Sequence, residues 1–393
     1  TPSPPTTPDV ELRMPARAVS TIRAVSQPVD EPVDELAVAV AAYGLPSTHR
    51  LPDLPLADAA FSMLLLRCEA ERTLGLLGAA VRDHQLAVND EQRILLESSW
   101  SSWLSHSLVI ERLVLRALAI LRAAGVPSRV LKGVALAHTA YPHPEQRVFG
   151  DVDLLVSGAD LQRAVSALCG ELDLTRVQPE LRPGFDARFG KEVLLRAPDG
   201  LELDLHRVFV DGALGMTIAL DDLFTPAYRF PLGGLSVEAL PMPARLLHAC
   251  YAAAIGDWPA RLGSLRDVAQ LVVRDRPHLA DVLITARRWR CELVVARAVD
   301  AAWRELAIVP RPPIVEWAAR YQPNRMERVL LAAHQGSARS FTRHAAAVLV
   351  LPGVADRAAY LRAITLPQRD YLGARRTSRA AHVVRAAKRM IRR

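Results

Sequence analysis

The chain runs to 393 residues, half of them apolar and 23% charged, with 28 prolines and four cysteines. That balance suits a globular protein with a large core and excludes a disordered or fibrous one; the length suits two or three domains. The formal charge is +7, but nine basic residues and a single acid fall between Arg369 and Arg393, so the basic character belongs to a tail and the body is close to neutral.

Residues 1–35 carry seven prolines with little apolar periodicity, which predicts a flexible leader. From about 36 to 125 the pattern is helical. Asn89 or Asp90 can cap a helix whose apolar positions Ile94, Leu95, Trp103, Leu104, Leu108, Leu115 and Leu118 recur at three- and four-residue steps, with Gly125 at its end. Between about 126 and 240 strands and helices interleave. Arg129–Leu131 reads as a short strand, Val134–Ala140 as a short helix, Val152–Val156 as a buried strand and Asp160–Leu168 as a helix. Val193–Ala197 and Leu201–Val208 read as strands joined by the Pro198-Asp199-Gly200 turn. A small mixed sheet carrying helices is expected there, an α/β (α+β) core. Helical periodicity resumes at Pro243, through Ala244–Ile255 and Leu262–Val273 to about residue 366. The tail, 367–393, reads as a basic amphipathic helix with Ala380, Val383, Val384, Ala387 and Ile391 on one face. It suits phosphates, RNA or an anionic membrane, or is a solvated terminal helix.

Cys68, Cys169, Cys250 and Cys291 lack any C-x-x-C spacing, so neither a zinc site nor a redox pair is expected. No apolar run is long enough to span a membrane, and Thr1–Pro8 has no basic-then-apolar pattern of a secretory signal; a soluble cytoplasmic protein is expected. Lysine is scarce, with Lys132, Lys191 and Lys388 the only three.

Phe149-Gly150-Asp151-Val152-Asp153-Leu154-Leu155-Val156 is the most informative segment. Alternation sends Asp151 and Asp153 to one face of a strand and Val152, Leu154 and Val156 to the other. Neighbouring carboxylates repel each other, and a divalent cation relieves the repulsion while leaving room for substrate phosphates. In Leu201-Glu202-Leu203-Asp204-Leu205-His206 the leucines share one face and Glu202, Asp204 and His206 the other. If the two strands are neighbours, Asp204 completes a three-carboxylate cluster able to hold two metal ions. Alone, D-x-D is weak evidence, and an alternating acidic strand is also a common solvated edge. Upstream, Leu131-Lys132-Gly133 puts a glycine where a strand turns into a helix, so backbone N–H groups and the Lys132 ammonium can receive a phosphate.

Together, Leu131-Lys132-Gly133, Tyr141-Pro142, Arg147, the Asp151–Val156 run and Glu202–His206 resemble a bacterial nucleotidyltransferase family of the DNA polymerase beta superfamily, over about residues 100–275. The resemblance implies that Asp151, Asp153 and Asp204 bind Mg²⁺ or Mn²⁺, and that Asp204 activates an acceptor hydroxyl. It implies that Lys132 and Gly133 form the phosphate loop of a nucleoside triphosphate such as ATP, where many superfamily members have Gly-Ser. Arg147 either neutralises a phosphate or braces the Asp-x-Asp turn by a bidentate carboxylate contact. His206 is either part of the site chemistry or a structural partner of a neighbouring carboxylate, and Lys191 either reaches the triphosphate or is a solvated turn lysine. His138 and His143 read as capping or packing residues. The implied activity is transfer of a nucleoside monophosphate to a hydroxyl of a protein, peptide, small molecule or RNA, with release of pyrophosphate. The alternatives are a non-catalytic nucleotide-binding or interaction protein on a degenerated transferase fold, and a toxin-like transferase acting on tRNA through the basic tail.

Overall fold

One mixed sheet separates two apolar layers, and the side chains that face each layer follow from the alternation along two central strands. The protein is seen as a computed structural model that describes residues 31–256, 259–335 and 339–375. The proline-rich residues 1–30 and the basic residues 376–393 lie outside the described part. A helix already begins at Glu31, within the segment read as leader.

Helices of eight residues or more are numbered along the chain. α1 (Glu31–Ala42), α2 (Asp58–Ala70), α3 (Leu74–Arg82) and α4 (Asp90–Ala123) precede the sheet. α4 starts where expected, because Asn89 accepts from the Gln92 N–H at 2.8 Å and the Gln92 side chain accepts in return from the Asn89 N–H. Gly125, at φ +67°, turns the chain out of it. Its buried face is not the expected stripe. Leu96, Ile110, Val114, Ala117 and Leu121 face inward, whereas Ile94 and Leu108 are 68% and 66% exposed. Apolar residues occur on more than one side of this helix, so periodicity establishes the helix and packing chooses the face.

The sheet is built from β1 (Ser128–Val130), β2 (Val152–Val156), β3 (Thr175–Arg176), β4 (Glu192–Arg196), β5 (Glu202–His206), β6 (Tyr228–Leu232) and β7 (Leu235–Ala239), in the order β3-β4-β5-β2-β1-β7-β6. β2 runs parallel to β5 and β1 parallel to β7; the other pairs are antiparallel. α5 (Lys132–Thr139) follows β1 directly, and α6 (Leu161–Leu172) follows β2. Val152, Leu154, Val156, Leu203 and Leu205 point into a core shared with α4 and α6.

The other face meets a helical layer. α7 (Ala244–Tyr251), α8 (Leu262–Asp275), α9 (Leu279–Arg288) and α10 (Glu292–Glu305) share one apolar core with α1–α3 and with Leu155 of β2. The two halves are also tied by polar contacts: Glu71 accepts from the Leu262 N–H at 2.7 Å, supplying the acid that the start of α8 favours. α11 (Pro313–Arg320), α12 (Arg325–Ala332), α13 (Arg339–Val350) and α14 (Val354–Thr365) follow, with a short helical turn at Arg369–Ala374 after them. Ala347, Leu351 and Tyr360 pack against Phe189, and the Gln368 N–H donates to the Leu181 carbonyl at 2.8 Å. The segment that leads into β4 is therefore held from the C-terminal side.

Candidate metal and nucleotide site

β2 is short, and both its faces are covered. A carboxylate in such a strand is costly unless it is paired. Asp153 is nevertheless there, 4% exposed, because β5 lies alongside in parallel with Asp204 opposite Asp153 and His206 opposite Leu155. Alternation then puts Asp153, Asp204 and His206 on the face away from Leu154, Leu203 and Leu205. Each offers a ligand atom within 4.8 Å of the others.

A line of polar contacts crosses this face. Lys132 Nζ lies 3.4 Å from Asp153 Oδ2, and His206 Nε2 donates to Asp153 Oδ1 at 2.7 Å. On the far side of the ring, His206 Nδ1 is 3.3 Å from Glu192 Oε2, which Lys191 Nζ approaches to 2.6 Å. Burial alone pushes the Asp153 carboxyl up, but Lys132 and His206 outweigh it and hold the group well below the usual carboxylate range. Glu192 is likewise lowered, with His206 and Lys191 overcoming its burial. Among the described residues no cation pairs directly with Asp204. Burial, reinforced by Glu192 and Asp153, pushes its carboxyl up to about 7. Lys132 is raised, chiefly by Asp153.

Asp151 stands at the bend just before β2, half-buried and outside the cluster of three, yet near enough to act electrostatically on Lys132 and Arg147. The preceding Gly150 carbonyl lies 3.2 Å from His106 Nε2. Lys132 and Gly133 open α5, where the first N–H groups have no partner within the helix. Gly133 also has a packing reason to be glycine, since a Cβ there would stand 2.9 Å from Phe149 Cβ. Arg147 makes the bidentate carboxylate contact, but to Asp267 of α8 rather than to the Asp-x-Asp turn. Both nitrogen–oxygen distances are 2.8 Å, Tyr141 donates to the same Asp267 at 2.8 Å, and all three are buried. Its remaining contact is to the Val148 carbonyl, so Arg147 fixes the chain leading into β2. His138 is a packing residue, bonded to Glu111 at 2.7 Å and stacked on Phe230.

Two participants escaped the sequence reading. Glu192 was within reach of it: the Pro198–Gly200 turn sets a register in which Arg196 faces Glu202, Leu194 faces Asp204 and Glu192 faces His206. His248 of α7 was not. It is buried against Phe209, with ring centroids 4.2 Å apart, and burial followed by Lys132 and His206 pushes its imidazole well below its ordinary value. Behind Lys132, the space bounded by Leu131, Ala135, Leu240, Arg245 and His248 amounts to about 10 Å³, room for one water and not for a phosphate.

The donor set fits a hard divalent cation. Asp153 Oδ2 is buried with no hydrogen bond, and beside it lies a second carboxylate crowded by like charge. Oxygen donors of this kind suit hard cations better than soft ones.

A mixed seven-stranded sheet with flanking helices and this acidic face define a nucleotidyltransferase-type α+β fold. Residues 58–307 match the model of the uncharacterised nucleotidyltransferase family, more than half of the chain, and the protein belongs to that family. No curated protein matches it. Among the described residues no helix is long and apolar enough to cross a membrane.

Proposed function

We propose that the protein is a metal-dependent nucleotidyltransferase that moves a nucleoside monophosphate from a nucleoside triphosphate to a hydroxyl acceptor. The observation that carries this reading is the register pairing of Asp153 with Asp204 beside the Lys132-led start of α5.

In the reaction, the acceptor oxygen forms a bond to the α-phosphorus while the bond from that phosphorus to the α,β-bridging oxygen breaks, and pyrophosphate leaves. Asp153 and Asp204, with Asp151 at the adjoining bend, would hold Mg²⁺ or Mn²⁺, which when bound neutralises charge on the phosphates. Asp204, partly open to solvent, takes the proton of the acceptor hydroxyl. Lys132 and the free N–H groups of Lys132 and Gly133 hold triphosphate oxygens, and Lys191 lies at the Glu192 end of the same face. His206 keeps Asp153 ionised and oriented. Arg147, through Asp267, anchors the approach to β2 and so positions the carboxylates rather than the substrate.

The test is incubation of the purified protein with triphosphates labelled at the α-phosphate, Mg²⁺ or Mn²⁺ and a cell extract. The label should move to an acceptor, and Asp153→Asn and Asp204→Asn should each abolish the transfer. Transfer that persists undiminished in both folded variants contradicts the reading.

A further inference from the structure

Both oxygens of the buried Asp153 carboxylate face partners supplied by the chain itself, and the two partners differ in kind. His206 is 2% exposed, sits on a central strand and has Glu192 on the opposite side of its ring. Lys132 is the first residue of α5, its side chain is 29% exposed, and its ammonium rides on a flexible four-carbon stem. The contacts differ as well. The histidine makes a hydrogen bond of 2.7 Å to Oδ1, whereas the lysine stands at 3.4 Å from Oδ2, which has no hydrogen bond at all. Any new partner of Asp153 therefore enters at Oδ2 and displaces Lys132 rather than His206.

We infer that Lys132 is a built-in placeholder for the divalent cation, neutralising Asp153 while that cation is absent and leaving it when the cation binds. The inference rests on the metal-binding reading proposed above. It explains how a carboxylate that is 1% exposed can be kept in a cation-free protein: the ion pair offsets the desolvation of the charge. It also couples two ligands. The released ammonium stays at the start of α5, beside the free N–H groups, and is available to triphosphate only once Asp153 no longer holds it. Cation and triphosphate are then bound cooperatively through one side chain.

The scarcity of lysine makes the idea directly measurable, because Lys132, Lys191 and Lys388 are the only lysines in the chain. Acetylation of each can be followed by mass spectrometry on the full-length protein, with and without saturating Mn²⁺, while Mn²⁺ uptake is read from the electron paramagnetic resonance of the free ion. The expected result is a several-fold faster acetylation of Lys132 when Mn²⁺ is bound, with Lys191 little changed. Lys132→Met, which removes the competing charge, should bind Mn²⁺ about tenfold more tightly than the wild type, and Lys132→Arg should not. Unchanged Lys132 acetylation at full Mn²⁺ occupancy, or weaker Mn²⁺ binding by a folded Lys132→Met, overturns the placeholder role while leaving the metal site standing. Should Lys132→Met fail to fold, the wild-type acetylation decides alone. A wild type that takes up no Mn²⁺ removes the metal-binding reading itself, and this inference with it.

Discussion

Asp153 and Asp204 are direct partners across two parallel strands, yet their charges are handled in opposite ways. Asp153 is clamped between Lys132 and His206, while Asp204 is pushed up to about 7 by burial first and then by the negative charge of Glu192 and Asp153. One carboxylate is fully neutralised by the protein and its neighbour is not. The imbalance is what a divalent cation corrects.

The two carboxylates should therefore differ in their effect on stability. In chelator at pH 8, Asp153→Asn leaves the Lys132 ammonium and the His206 ring N–H without their carboxylate and should cost about 3 kcal/mol. Asp204→Asn removes a partly buried charge and its repulsion by Glu192 and Asp153 and should raise Tm, by roughly 1–2 °C for each kcal/mol relieved in a chain of this length. Thermal unfolding of both variants checks this; equal destabilisation by the two changes would show that Asp204 is not under like-charge strain.

The Arg147–Asp267 pair ties the approach to β2 to α8 through a buried bidentate contact. Arg147→Ala and Asp267→Ala should each lower stability by about 3–5 kcal/mol, because each strands a buried charge. The double variant should lose clearly less than the sum. Additive losses in urea unfolding would mean that the two residues act separately.

Gly133→Ala should destabilise the protein by roughly 1–3 kcal/mol, since the new methyl meets Phe149 Cβ at 2.9 Å inside a packed core. A neutral result in the same urea experiment would assign the glycine to the phosphate-facing backbone alone.

Stability should also depend on pH through His344. Burial lowers its imidazole, with Arg343 adding to the effect, and its Nδ1 lies 2.7 Å from the Tyr360 hydroxyl. The folded state therefore binds the proton less readily than the unfolded chain. The contribution is complete above the ordinary value of about 6.5 and is lost as pH falls from there through the lowered value. His344→Gln should flatten that part of the profile, as measured by chemical unfolding at pH 5 and pH 7.5. An unaltered profile would place the acid sensitivity elsewhere.

The parts of the fold that alternation and turn chemistry govern were readable from the residues. β2, β4, β5 and the hairpin turn fall within a residue or two of the expected positions, and the leucine and acidic faces of β5 separate as read. The Asn89 cap and Gly125 bound the long helix as expected, because both act locally. What escaped depends on tertiary contact. The Tyr228–Leu232 and Leu235–Ala239 hairpin does alternate, with Phe230, Leu232, Val237 and Ala239 turned inward, but nothing local says that it joins the sheet beside β1. The inward face of α4, the partner of Arg147 and the approach of His248 to the acidic face are likewise set by which helices meet, a long-range outcome that no short window contains.

Manganese can be located directly by its anomalous scattering in crystals of the wild-type protein soaked in Mn²⁺. A peak is expected about 2.1 Å from carboxylate oxygens of both Asp153 and Asp204, with the Lys132 ammonium moved away from Asp153. An intact, accessible site that gives no peak between those two residues would contradict it.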